Sequence, residues 1–228
     1  MSGADRTVVF LDLTRFTSLT DVHGDEAAAA VIDRFLDAVR AELGGGGRIV
    51  KTLGDGVLLE TAGPAVAMSI ADGISHRLHD QPGMPEITGG ICTGPVVERG
   101  HDILGATVNL ASRLADLAPA GELRVTEATA RSAADAGWRV EPLGMVDIRG
   151  FHDPVAVFAV QLCHPDDCTT DPVCGMRLTP GADTPSVDHD GTTWWFCSPT
   201  CVDRFQAAPT RYVPTPDEPA MNNPTATT

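Results

Sequence analysis

Asp12 ends the apolar run TVVFLDL, and Asp55 sits between two glycines in KTLGDGVLL. An acid in an apolar strand needs a partner, whereas Asp-Gly is by itself a common turn dipeptide. Brought together, the two carboxylates could hold divalent metal ions, since hard cations take oxygen ligands. In HDILGATVNLASRL, Asn109 and Arg113 stand four residues apart, on one face of a helix. An amide beside a guanidinium suits a sugar and a phosphate, although a solvated polar stripe has the same pattern. Arg149, in VDIRGF, lies at a strand-to-turn boundary before Gly150 and taken singly reads as an exposed structural arginine.

The cysteines make a second group. All but Cys92 fall after residue 160: Cys163, Cys168, Cys174, Cys197 and Cys201. The N-terminus passes from MSGADR into TVVFLDL without a signal-peptide pattern, so clustered thiols favour a metal over disulfides. Cys174, Cys197 and Cys201, the last two in a C-x3-C, could converge on zinc or another thiophilic ion. Cys168, Asp171, His189 or a solvent molecule could complete the set, and His164 is a further candidate. His23, His76 and His79 read as surface groups, and His101 as a neighbour of a site at Asp102.

These residues need elements to position them. Residues 7–13 read as a buried strand, and 25–43 as a helix with Val31, Phe35, Val39 and Leu43 on one stripe. A β-hairpin over 48–61 turns at Gly54-Asp55-Gly56, and Pro64 opens a helix to about His79. A strand through ITGGICTGPVV, a loop over Glu98–Asp102 and a helix over 106–117 follow. Residues 122–125 form a strand, Thr126 caps a helix, and strands near 139–149 and 155–162 close the series. The order β-α-β-β-α-β is that of a ferredoxin-like α+β core. The expected domains are 1–162, a linker over 163–170, a cysteine-rich module over 171–213, and a proline- and threonine-rich disordered tail over 214–228.

The formal net charge is −15, from 31 acidic and 16 basic residues. That field argues against a nucleic-acid partner. With no apolar run of membrane-span length, the expectation is a soluble cytoplasmic protein. An anionic ligand here needs local positive charge.

Taken together, the motifs resemble the class III adenylate and guanylate cyclases over roughly residues 7–162. Phe10-Leu11-Asp12-Leu13 with Phe16-Thr17, Lys51 to Asp55, and Asp102 to Arg113 carry the likeness. The resemblance implies a head-to-tail homodimer with composite sites, in which Asp12 and Asp55 bind two Mg²⁺ or Mn²⁺ ions. Arg113 from the partner would stabilise charge on the α-phosphate, Asn109 would orient the ribose, and Arg149 would contact the terminal phosphates. Adenylate cyclases carry Lys and Asp at the positions of Lys51 and Asp102. That pair suits the acceptor and donor of adenine's edge better than guanine's, which points to ATP, with a guanylate cyclase as the alternative.

Arg15 stands where the family usually has Gly; it either crowds the turn or adds a phosphate contact, and it leaves a non-catalytic dimeric metal sensor as a rival reading. Residues 171–213 resemble the YHS (TRASH-like) family through DPVCGM and FCSPTC, which implies metal binding that could tune the first domain.

Overall fold

A computed structural model describes residues 5–162 and 168–213. Cys163, His164 and the tail from Pro214 lie outside the described residues. Among those described, no helix is long and apolar enough to cross a membrane. The chain divides into two compact units that are not continuous in sequence. One gathers residues 5–13, 36–75 and 87–162, and the other 14–35, 76–86 and 168–213.

The first unit is built on a seven-stranded sheet. Its strands are β1 (Asp5–Leu13), β2 (Gly47–Leu53), β3 (Gly56–Thr61), β4 (Ile87–Pro95), β7 (Glu122–Thr126), β8 (Val140–Val146) and β9 (Val155–Gln161). The spatial order is β2-β3-β1-β4-β7-β9-β8. Its first four strands have the order of a split βαβ repeat, with helices α2 (Asp25–Leu43) and α3 (Pro64–His79) as the crossovers. The fold is therefore α+β and ferredoxin-like, as expected, extended beyond β4 by the parallel partner β7 and then by β9 and β8. The stripe Val31, Phe35, Val39 and Leu43 is buried along α2.

Two short segments depart from expectation. The loop expected over Glu98–Asp102 is the turn of a small hairpin, β5 (Val97–Arg99) with β6 (Asp102–Leu104). The strand expected over 139–149 stops at Val146, and Ile148 is buried with Leu114 and Val157.

Helix α4 (Ala106–Leu117) lies on β4 because β4 is stripped of side chains there. A Cβ on Gly90 would fall 2.0 Å from the Ala111 carbonyl oxygen and 2.6 Å from the Ala115 nitrogen. These are backbone atoms and cannot swing away, so Gly90→Ala is expected to cost about 3 kcal/mol of stability. Urea denaturation reads this directly; an unchanged midpoint would contradict the packing argument.

The second unit holds α1 (Phe16–His23), which the sequence reading left out. It also holds the paired strands β10 (Thr169–Thr170) with β11 (Arg177–Leu178) and β12 (Ser186–His189) with β13 (Thr192–Trp195). Helix α6 (Pro199–Ala207) and a 3₁₀ turn over Pro209–Arg211 complete it; α5 (Glu127–Asp135) belongs to the first unit. The β12–β13 turn is Asp190-Gly191 with both φ values positive, at 50° and 76°, as a tight type I′ hairpin requires. Val173, Cys174, Trp194, Phe196, Cys201 and Phe205 form the core of this unit.

Candidate functional site

Asp12, next to last in β1, lies directly opposite Gly56 of β3. Between β2 and β3 only Gly54 and Asp55 intervene, and Gly54 has φ +67°, the positive angle a two-residue hairpin turn needs at its first position. A Cβ on Gly56 would lie 3.1 Å from an Asp12 carboxylate oxygen, so the glycine leaves room for that group. Burial, and then the neighbouring charge of Asp55, push the Asp12 carboxyl up from 3.8 to about 6, with Asp116 adding to the effect. A hydrogen bond from the Leu13 N–H, 3.2 Å long, works the other way. The structure thus brings Asp12 and Asp55 together, and a half-buried carboxyl facing other acids is a donor set suited to a hard divalent cation.

Lys51 and Asp102 also meet. The ammonium donates to an Asp102 oxygen at 2.8 Å, and the other oxygen accepts the Ile103 N–H at 2.8 Å. The Lys51 hydrogen bond holds the Asp102 carboxyl below the usual carboxylate range. A β-bulge makes the meeting possible. Ile49 pairs with Leu59 but Lys51 pairs with Leu58, leaving Val50 as an extra residue. One inserted residue changes the parity of the strand, so Lys51 shares the face of Leu58, which packs in a cluster with Ile103, the neighbour of Asp102. His101 is exposed, and its carbonyl accepts from Arg48 at 2.8 Å.

Asn109 and Arg113 both face outward from α4 and line a cavity of about 470 Å³ together with Arg149, Phe151 and His152. Arg113 donates to Asp116, one turn along, at 2.9 Å. Both partners are exposed, and such surface pairs exchange at little cost. Three residues from two separate stretches of sequence, α4 and the segment around Arg149, thus converge on one concave surface.

In the second unit, Cys174, Cys197 and Cys201 converge. Sulfur-to-sulfur distances are 3.5 Å for Cys174–Cys197 and 3.6 Å for Cys197–Cys201, and no disulfide joins them. Cys197 follows β13, Ser198 caps α6 by accepting the Cys201 N–H, and Cys201 sits in the first turn. Hydrogen bonds with Cys174 and Cys201 hold the Cys197 thiol below the usual thiol range.

The fourth member is His23 at the end of α1, with Nε2 3.5 Å from the Cys197 sulfur. The four ligand atoms all lie within 4.8 Å of one another. His23 is half-buried here and not the surface group expected. The signal in the sequence was the spacing Phe16, Leu19, Thr20, His23, which aligns His23 with the buried Leu19 on one helical face.

The side chains expected to complete the cysteine set are engaged elsewhere. Asp171 is fully buried; one oxygen accepts the N–H groups of Val173 (2.8 Å) and Cys174 (3.2 Å), and the other that of Cys197 (2.8 Å). Cys168 lies 3.5 Å from His79 Nε2 and 3.7 Å from the Thr179 hydroxyl. His189 packs edge-on against Phe205. His79, also expected at the surface, is half-buried and faces Arg177 at 2.7 Å.

Residues 67–161 match the family model of the adenylate and guanylate cyclase catalytic domain, and residues 169–215 match that of the YHS domain. The chain is thus similar to a cyclase catalytic domain over 67–161 and to a YHS domain over 169–215, in that order. Among curated relatives, an adenylate cyclase of Glutamicibacter nicotianae is 36% identical over 151 residues, covering 65% of this chain and 37% of that protein. A copper-transporting P-type ATPase of Rhizobium leguminosarum is 44% identical over 48 residues, 21% of this chain and 6% of that one. Among solved structures, the adenylyl cyclase CyaB from P. aeruginosa superposes with a TM-score of 0.58 at 25% identity, covering 70% of this chain and 95% of that one. The chain spans 32% to 40% of the length of the curated adenylate cyclases it matches.

Within the cyclase resemblance, Arg15 is the departure. Its φ of 55° is left-handed, the region where glycine alone is unstrained. Its guanidinium donates to the Pro172 carbonyl at 2.9 Å, and its stem fills the space over Gly175, where a Cβ would come within 2.8 Å of the Arg15 Cβ. Neither expectation for Arg15 describes this arrangement: the side chain packs on the DPVCGM turn of the YHS segment.

Proposed function

We propose that the chain is an adenylate cyclase, converting ATP to cyclic AMP and pyrophosphate. The observation that carries this reading is the Lys51–Asp102 pair, a charged donor beside an anionic acceptor. Lys51 donates to adenine N1, and Asp102 accepts from the exocyclic amine; guanine presents the opposite polarity there. Asp12 and Asp55 would hold two divalent cations, Mg²⁺ or Mn²⁺, which when bound would supply charge stabilisation for a deprotonated ribose 3′-hydroxyl and for the triphosphate. The 3′-oxygen forms a bond to the α-phosphorus, the bond to the β-phosphate bridging oxygen breaks, and the hydroxyl proton passes to solvent. Arg113, released from Asp116, neutralises charge on the α-phosphate. Asn109 holds the ribose, and Arg149 meets the terminal phosphates.

The working form in this reading is a head-to-tail homodimer in the cytoplasm, with Asp12 and Asp55 of one protomer facing the partner's arginine. The cyclase domain spans 1–162 and the YHS-like domain 171–213, and the latter holds zinc or another thiophilic ion on its cysteines.

The test is product formation from ATP and from GTP with Mg²⁺ and with Mn²⁺, using Asp12→Ala as control. Cyclic AMP that disappears in the variant supports the reading; cyclic GMP in its place would move the base assignment. Absence of both products would favour a dimeric metal sensor without turnover, the reading that the Arg15 contact with Pro172 supports. The double variant Lys51→Glu, Asp102→Cys is expected to lower the preference for ATP over GTP by at least about 100-fold in kcat/KM, since it leaves the adenine edge unpaired.

A further inference from the structure

We infer that His23 is the fourth ligand of a Cys₃His metal centre with Cys174, Cys197 and Cys201, and that an ion bound there fixes the segment leading out of Asp12. The metal centre of the YHS segment would then be completed by a residue from the N-terminal part of the chain, well over a hundred positions away in sequence.

The donor geometry fits a small tetrahedral ion. A zinc ion with metal–sulfur bonds of about 2.3 Å and a metal–nitrogen bond of about 2.0 Å sets edges of about 3.8 Å between sulfurs and about 3.5 Å between sulfur and nitrogen. The three edges at Cys197 are 3.5 and 3.6 Å to the other sulfurs and 3.5 Å to the imidazole, and the other three are within 4.8 Å. Soft thiolates with one imidazole select zinc-class ions over magnesium or calcium.

Besides its own contact with Cys197, His23 is held in this position through its neighbours along α1. Arg204 forms an ion pair with Asp21 and also donates to the Asp21 carbonyl at 3.0 Å. Val22 packs against the core formed by Val173, Cys174, Trp194, Phe196, Cys201 and Phe205. Arg15, at the other end of α1, donates to Pro172. Both ends of the helix are thus docked around the cysteines, and Gly24 ends the helix directly after the imidazole. The other candidates for a fourth ligand have partners of their own, Asp171 on three backbone N–H groups and Cys168 beside His79 and Thr179.

The connection to Asp12 is covalent. Asp12 is the penultimate residue of β1, and α1 opens four residues later at Phe16. The Thr14 N–H between them donates to the Glu86 carbonyl at 2.9 Å. An ion that locks the end of α1 therefore restrains the turn that follows the aspartate. This part of the inference rests on the adenylate cyclase reading; the ligation does not.

The experiment uses the full chain and its His23→Ala and His23→Cys variants. Co²⁺ spectra report the donor set, and competition against a chromogenic chelator reports Zn²⁺ affinity. The wild type is expected to show the intense visible bands of tetrahedral Co²⁺ with three thiolates. His23→Ala is expected to lose at least about 100-fold in Zn²⁺ affinity, the upper end of what removing a mere outer-shell partner costs, with an altered Co²⁺ spectrum. His23→Cys is expected to restore tight binding with a four-thiolate spectrum, which separates ligation from simple misfolding.

Identical spectra and affinities in wild type and His23→Ala would overturn the assignment, as would a wild type that binds neither ion tightly. Cyclic AMP formation is then measured with and without stoichiometric zinc. A change of about fivefold or more, the lower end of usual coupling between sites, is expected in the wild type and not in His23→Ala. Equal rates in the wild type would overturn the restraint on the Asp12 segment while leaving the ligation intact. Absence of turnover with the expected spectra would sink the enzyme reading and not the metal centre.

Discussion

Asp12→Asn is expected to remove cyclic AMP formation by a factor of about 10³ or more, and to make the protein more heat-stable when divalent cations are withheld. On the adenylate cyclase reading, the loss follows from withdrawing the proposed metal ligand, worth several kcal/mol of charge stabilisation, at about 1.4 kcal/mol per tenfold. The gain follows from the same carboxyl. Its folded value of about 6 lies above the ordinary 3.8 because burial and then Asp55 disfavour the charge. Between those two values the folded state binds more protons than the unfolded one, so stability falls as pH rises through the window and the full cost persists above it. The shift corresponds to about 3 kcal/mol at full strength, but the group remains partly open to water, and screening leaves about 1 kcal/mol. That amounts to a few degrees in Tm for a chain of this size. Thermal melts in EDTA from pH 4 to 8 should show the curves of wild type and variant diverging as pH rises. Excess Mg²⁺ should then raise the Tm of the wild type alone. A variant that is no more stable in EDTA, or that still makes cyclic AMP, would contradict the assignment of Asp12.

Asp171→Ala is expected to unfold the YHS segment. The carboxylate accepts three N–H groups, from Val173, Cys174 and Cys197, at a site closed to water. Each donor left unpaired costs about 1–3 kcal/mol, so a loss of about 4 kcal/mol is a moderate expectation. The readouts are Trp194 and Trp195 fluorescence and the rate at which Cys174 and Cys201, both buried in the native fold, react with a thiol reagent. Asp171→Asn separates charge from shape: its carbonyl oxygen still serves two donors, while its amide nitrogen is set against the third. An intermediate loss is therefore expected, and a fully stable alanine variant would show that Asp171 does not organise the turn.

The candidate-site residues were legible because each sits in a short contiguous motif whose local structure follows from its own composition. Gly54-Asp55-Gly56 predicts a hairpin tip, and Asn109 and Arg113 predict one helical face; both pairs of expectations match the positions observed. The three thiols were legible for the same reason. What escaped depends on partners distant in sequence. Helix α1 has only eight residues, too few for its apolar spacing to stand out, and His23 has no meaning until the YHS segment lies beside it. Arg15 was readable as an anomaly but not as a packing residue, because its partner Pro172 is 157 positions away. The three-residue strands of the β5–β6 hairpin leave almost no periodicity to detect.

The extra residue at Val50 has a consequence for how nucleotide choice can drift. Since the bulge, and not any side chain at position 50, turns Lys51 toward Asp102, on the adenylate cyclase reading the selectivity would be stored in chain length. Conservative replacements of Val50 preserve it, whereas an insertion or deletion within β2 turns the lysine to the opposite face of the sheet and leaves every recognition residue in place but out of reach. Comparison of related chains by residue identity alone would miss such a switch; an alignment gap one residue wide would be its only trace.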